Sequence, residues 1–346
     1  MRPEEPTGSD SIARIFVGPQ GLRAGWSILV FIAVWLPIVS IQLIPAMKLR
    51  NAPGHAYTVG QMLAIDALGL LSVLVAACAV AKIEHRSLLD FNLRGPNGGI
   101  YFLRGVAAGF VALSALVGLQ AAGGWLKFNG LALSGAAVLG YGLLWGICYL
   151  FVGLSEEGLY RCYLQFTLTR AINFWWALGI IALPCAELLH RRNYGVAWGV
   201  WAIALGGVVP CFVLQRKLGT RSAFWQAAWV ASTLFGYGHT SNGGENTLGI
   251  LQTELIALIF CVSIKLTGSA WWAIGCHASW DWAETYFYGT PDSGLTVQGH
   301  LLNSTLAGST LWSGGEAGPE GSLLVIGIML LLLAWLLLRF KKRRVA

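Results

Sequence analysis

The sequence predicts an all-α protein, a polytopic transmembrane helical bundle of about ten spans. Of its 346 residues, 56% are hydrophobic and only 11% are charged, and the mean hydropathy is +0.63. That composition lies outside the range of soluble globular proteins. Apolar runs near the roughly 20 residues that cross a bilayer also recur along the whole chain. The lipid bilayer is therefore the first predicted partner.

The predicted spans follow one another with short polar connections. The first is too long for the apolar region of a cleaved signal peptide, so we expect it to stay in the mature protein. The fifth is the weakest, because Pro184 and Glu187 interrupt it. In chain order the ten runs cover about 24–44, 59–81, 103–122, 143–166, 174–189, 196–214, 224–239, 248–266, 270–287 and 322–338.

Basic residues set the predicted orientation. With the N-terminus inside, 18 of the 23 lysines and arginines fall on the cytoplasmic side, Arg161 among them. The positive-inside rule then predicts that both termini are cytoplasmic. The net charge of +7 is distributed over loops between spans, so nucleic acid is not a predicted partner.

The seven cysteines form no CxxC pair and no metal-ligand spacing.

The fourth span carries two adjacent acids and an arginine. Charged residues are rare within spans, and by default they suggest function. Glu157 and Arg161 are one helical turn apart on one face, whereas Glu156 points about a quarter-turn away. This spacing predicts that Arg161 keeps Glu157 ionised and that Glu156 faces a cavity. The alternative for this stretch alone is a buried ion pair that only fixes helix packing.

Two histidines lie on later spans. Phe235 and His239 are one turn apart at the end of the seventh span, and His277 and Asp281 have the same spacing on the ninth. A lone histidine at a helix end is more often a hydrogen-bonded interface residue. An acid one turn from an imidazole, however, fixes its tautomer and raises its basicity, as behind metal ligands and catalytic histidines.

The remaining intramembrane acids carry weaker signals. Asp66, Glu187 and Glu254 show no partner of opposite charge at helical spacing, and no role is assigned to them. Glu284, close to one turn beyond Asp281, is expected at the membrane edge, and a role in the site is the alternative. The stretch 289–321 is rich in Gly, Ser and Pro and is expected to form a partly ordered outer cap.

Together, Glu156-Glu157-x-x-x-Arg161, Phe235-x-x-x-His239 and His277-x-x-x-Asp281 resemble the CPBP family of intramembrane proteases. That family comprises the type II CAAX prenyl endopeptidases and bacteriocin-processing and self-immunity relatives. The resemblance covers roughly residues 143–287. It implies a helical core whose motif residues converge on a membrane-embedded cavity, and a membrane-associated protein or peptide as substrate. We expect a multi-pass protein of a bacterial-type cytoplasmic membrane.

The resemblance also implies a role for each motif residue. Glu156 is the base that activates water, supported by Glu157 and Arg161, while His239 positions that water and His277 with Asp281 stabilises the oxyanion. Two features depart from the family pattern. Residues 174–214 add about two spans between the first two motifs, and position 281 is Asp where relatives often have Asn. An ionised Asp cannot donate to an oxyanion, which leaves it to orient His277.

The predicted organisation is then a cytoplasmic tail at 1–23, N-terminal spans at 24–142, a catalytic core at 143–287, a non-cytoplasmic loop at 288–321, and a last span with a basic tail at 322–346. No HExxH motif is present. No cofactor is certain, but Glu156, His239 and His277 form an acceptable zinc set, so glutamate-dependent and metal-dependent chemistry both stay open. Two other functions also stay open, a transporter that uses the same ionisable residues and a non-catalytic membrane scaffold.

Overall fold

The computed structural model describes residues 15–18, 21–50, 56–192 and 194–340, without the side chains of 42–50. The predicted tail up to residue 14 and the basic residues 341–344 lie outside these ranges. The α-helices, in chain order, are α1 Ala24–Arg50, α2 Val59–Ile83, α3 Gly98–Ala122, α4 Ala136–Glu157, α5 Gln165–Thr169, α6 Phe174–His190, α7 Tyr194–Leu218, α8 Ala223–His239, α9 Thr247–Thr267, α10 Trp271–Trp282, α11 Thr310–Ser313 and α12 Leu323–Phe340.

The helices confirm the predicted all-α polytopic class. Among the described residues, seven helical stretches are long and apolar enough to cross a membrane. One of them, Tyr194–His239, contains both α7 and α8 and so corresponds to two predicted spans. The fifth predicted span is the shorter apolar helix α6. The ninth corresponds to α10 with its extension to Phe287, which is not among the seven stretches.

Two helices that the sequence predicts as regular contain π-helical segments. The chain changes from α4 to a π-helix at Gly158–Leu164 before it continues as α5, and α10 continues as a π-helix at Ala283–Phe287. Such segments are rare and occur frequently at functional sites. The first begins directly after the two adjacent acids, and it leaves the backbone carbonyl of Arg161 to accept a hydrogen bond of 2.7 Å from the Asn92 side chain.

Helix α10 lies against α3 at very short range. A Cβ atom added to Gly105 would lie 2.1 Å from the Trp272 carbonyl oxygen, and one added to Gly109 would lie 2.2 Å from that of Cys276. This is the close backbone approach that paired small residues permit between membrane helices. Because α10 also packs on α4, its polar face is held in a fixed position beside the acids of α4.

The outer loops join into one cap. Strands β1, Val17–Gly18, and β2, Gly21–Leu22, form a separate small hairpin before α1. In the cap, strand β3, Leu126–Leu131, pairs antiparallel with β4, Leu302–Leu306, and Tyr57 forms a parallel bridge to Val297. The loop predicted as a partly ordered cap is thus described throughout, and it contacts segments that the topology prediction assigns to the same side of the membrane.

Candidate active site

A cavity of about 570 Å³ lies among α1, α2, α4, α8, α9, α10 and the cap. The four predicted site residues that line it are Glu156, His239, His277 and Asp281. The other two, Glu157 and Arg161, are fully buried behind its wall. The structure therefore gathers all six residues around one cavity, which runs from the middle of the bundle to the cap.

His277 is the centre of the polar network. Its Nδ1 atom lies 2.9 Å from Oε1 of Glu157, and its Nε2 atom lies 3.4 Å from Oδ2 of Asp281 and 3.7 Å from Oε2 of Glu156. An imidazolium, with a proton on each nitrogen, satisfies this arrangement of carboxylates. The sequence predicts Asp281 as the residue that orients His277, whereas the structure adds Glu157 from another helix, at the shorter distance.

Glu157 connects His277 to a buried arginine. Its second oxygen, Oε2, lies 3.3 Å from Nε of Arg161, and both side chains are fully buried. Arg161, assigned from the sequence to the cytoplasmic side, is instead enclosed by aromatic rings. Its guanidinium carbon lies 4.1 Å from the ring centre of Phe235 and 5.5 Å from that of Phe260. The carboxylate and the cation–π contacts compensate a charge that would otherwise be too costly to bury.

His239 occupies the last position of α8. Its Nδ1 atom donates a hydrogen bond of 2.8 Å to the carbonyl of Phe235, which leaves Nε2 to accept or donate within the cavity. The Phe235 ring lies 4.6 Å from the His239 ring and 6.1 Å from the His277 ring, so it separates the two imidazoles. The sequence places His239 near the outer end of its span. The structure agrees, because His239 is the last residue of α8. The cavity extends far enough to reach it.

Several cavity residues were not predicted. Asp66 lines the cavity from α2, and Phe260 stacks on His277 with ring centres 5.8 Å apart. One expectation was wrong. Glu187 does have a helical-spacing partner, since it pairs with Arg191 one turn later. Glu284, at the cap end of the ninth predicted span, is fully buried.

Acids of the outer loops also approach the cavity. Burial raises the pKa of Asp292 well above its usual range, and the charge of Asp281 raises it further. Burial likewise raises the pKa of Glu320. The pKa of Glu245 rises to about 8, through burial first and the Glu320 carboxylate second. No sequence signal pointed to these residues, because they lie in Gly-rich loops without motif spacing.

Zinc would need three ligand atoms close together. Glu156, His239 and His277 do not gather three such atoms within 4.8 Å of one another; the set that meets this limit in the described part of the chain is Glu284, Asp292 and Glu320. The predicted zinc ligands therefore do not fit a three-residue zinc site in this conformation, and no chemical step is assigned to a metal here.

A model of a known protein family matches part of the chain. The family model described as type II CAAX prenyl endopeptidase Rce1-like matches residues 211–283. This segment contains His239, His277 and Asp281, whereas the Glu156–Arg161 motif lies before it. The match confirms the family resemblance over a shorter stretch than the motifs suggested. Neither the curated proteins nor the solved structures give a match.

Proposed function

Since this integral membrane protein carries a domain of the type II CAAX prenyl endopeptidase family, we propose that it hydrolyses a peptide bond in a membrane-associated protein or peptide, using water activated by Glu156. The observation that carries the proposal is the position of His277, whose ring is held by Glu157 while its Nε2 atom faces Glu156 and Asp281 in the cavity. Glu156, a candidate base, and His277, a hydrogen-bond donor, thereby face the same cavity.

In the proposed reaction, the substrate carbonyl enters the cavity with its oxygen toward Nε2 of His277. Glu156 removes a proton from water, and the water oxygen bonds to the carbonyl carbon as the carbonyl π electrons move to oxygen. His277 donates to that oxyanion, which preorganised donors stabilise strongly in a site shielded from bulk water. The C–N bond then breaks, and Glu156 returns the proton to the amine nitrogen.

The other residues have supporting roles in this proposal. Glu157 and Asp281 keep His277 protonated and oriented, and Arg161 keeps Glu157 ionised without reaching the cavity. His239 positions the water with its Nε2 atom, because its Nδ1 atom is engaged by the Phe235 carbonyl. An ionised Asp281 fits this scheme, since its task is to support an imidazolium rather than to donate to the oxyanion.

The test is a comparison of protein N-termini in membranes from cells that carry wild type, Glu156→Gln or Glu187→Gln. Glu187 is the matched control, an acid outside the cavity that pairs with Arg191. We expect at least one new N-terminus in wild type and Glu187→Gln that disappears in Glu156→Gln, where the uncleaved precursor accumulates. Identical N-termini in all three strains, with the protein expressed equally, would contradict the proposal.

A further inference from the structure

A second group of acids lies beneath the cap, next to the cavity. Glu284 comes from the π-helical extension of α10, Asp292 from the start of the cap loop, and Glu320 from the turn before α12. Each residue offers one carboxylate oxygen, and the three oxygens all lie within 4.8 Å of one another. Three segments that are distant in sequence thus converge on one point.

Glu284 has no partner of its own at this point. Its side chain is fully buried, and neither of its carboxylate oxygens accepts a well-formed hydrogen bond in the described part of the chain. The backbone amide of Glu320 lies near it without reaching good geometry. Burying this carboxylate as an anion costs free energy unless a positive charge compensates it, and a bound cation would supply that charge.

The other two acids are oriented by donors. Oε1 of Glu320 accepts hydrogen bonds from the Ser293 backbone amide, at 2.8 Å, and from the Ser293 hydroxyl, at 2.5 Å. Oδ2 of Asp292 accepts one of 3.1 Å from Thr285. No lysine or arginine forms an ion pair with any of the three acids in the ranges that the structure describes. The two cavity histidines act electrostatically on the group, His239 on Glu320 and His277 on Asp292.

A further oxygen lies beside the group. Gly318 has a φ of +96°, and a Cβ atom added to it would lie 2.0 Å from the Pro291 carbonyl oxygen and 3.2 Å from Oε1 of Glu284. The absence of a side chain at this position therefore keeps open the space between a carbonyl and a carboxylate. Carboxylates with a backbone carbonyl and hydroxyls form an oxygen-only set, which hard cations prefer.

We propose that Glu284, Asp292 and Glu320 form a Ca²⁺ site that fastens the cap to the end of α10. Calcium is bound at about 2.3–2.6 Å by six to eight oxygens in irregular geometry, so two ligand oxygens can be up to about 5 Å apart. The spacing of the three carboxylates lies within that limit. Because Asp292 and Glu320 also line the cavity, the cation fixes the cavity wall on the side of the cap.

The test uses the full-length protein in detergent, stripped with a chelator and then titrated with ⁴⁵Ca²⁺. We expect one saturable site per chain, with a dissociation constant of about 10⁻⁴–10⁻³ M, as in extracellular calcium modules. Glu284→Gln should weaken binding by about tenfold or more. Glu316→Gln is the matched control, an exposed acid of the same cap, and should bind as wild type does.

A second readout separates loss of the site from loss of folding. Calcium should slow proteolysis of the cap in wild type and in Glu316→Gln, but not in Asp292→Asn, with all three proteins still monodisperse. The proposal is overturned by a wild type that binds no calcium at 10 mM, about ten times the weakest expected dissociation constant. Calcium binding that survives both Glu284→Gln and Asp292→Asn, or tighter binding of Mg²⁺ than of Ca²⁺, would also overturn it.

Discussion

Replacing Glu157 by glutamine removes the charge that compensates Arg161. Both side chains are fully buried, and Oε2 of Glu157 lies 3.3 Å from Nε of Arg161. Glutamine keeps the size and can still accept the hydrogen bond from His277, so the change is mainly electrostatic. The guanidinium is then left with its aromatic neighbours, Phe235, Phe260 and Tyr160.

Breaking a buried ion pair by removing one partner costs about 3–5 kcal/mol. That is a large share of the roughly 5–15 kcal/mol that stabilises a typical folded protein. We therefore expect Glu157→Gln to lower the apparent Tm in detergent by about 5 °C or more and to reduce the yield of folded protein. Activity should fall as well, because the arginine-bound carboxylate also orients His277.

The assay is thermal unfolding of the purified variants, followed by tryptophan fluorescence and by retention of a monodisperse peak after heating. Glu156→Gln is the control, since about a third of its side chain is exposed to the cavity, 34%. Its apparent Tm should stay within about 1 °C of wild type, because partly exposed substitutions usually change stability little. Equal Tm values and yields for Glu157→Gln and wild type would show that the ion pair does not stabilise the fold.

Two more predictions concern topology and metal. Reporter fusions after Arg221 and after Arg344 should both report the cytoplasm, because the basic residues concentrate on that side. If the two fusions report opposite sides, the predicted number of spans between them is wrong by an odd number. Purified protein should hold well under one zinc per chain and cleave its substrate in the presence of a strong zinc chelator supplied with excess calcium, while His239→Ala and His277→Ala each lose activity by about a hundredfold or more. Stoichiometric zinc that disappears in both histidine variants, with activity restored to chelated enzyme by added zinc, would contradict this prediction.

The span pattern could be predicted from the sequence, because a helix that crosses lipid needs a run of about 20 mostly apolar residues. The site motifs could be predicted for a related reason, since charges such as Glu156 and Arg161 are rare inside spans. The contact between Glu157 and His277 could not, because it joins two helices 120 positions apart in sequence. Phe260 gave no signal either, as one apolar residue in an apolar span.

Two failures have other physical causes. The π-helical segment at Gly158–Leu164 was not predicted, because apolar spacing does not separate an α-helix from a π-helix over seven residues. The burial of Glu284 depends on the cap, whose Gly-rich loop has no periodic pattern to interpret. Both features depend on tertiary packing rather than on local sequence.

The role of Glu156 as the base that activates the attacking water can be measured as kcat/KM of the purified protein on the substrate found by N-terminal analysis. We expect Glu156→Gln to lower kcat/KM by about a hundredfold or more, which corresponds to about 2.7 kcal/mol of transition-state stabilisation. Its apparent Tm should remain that of wild type. Near-normal cleavage by a folded Glu156→Gln protein would contradict the assignment of the base.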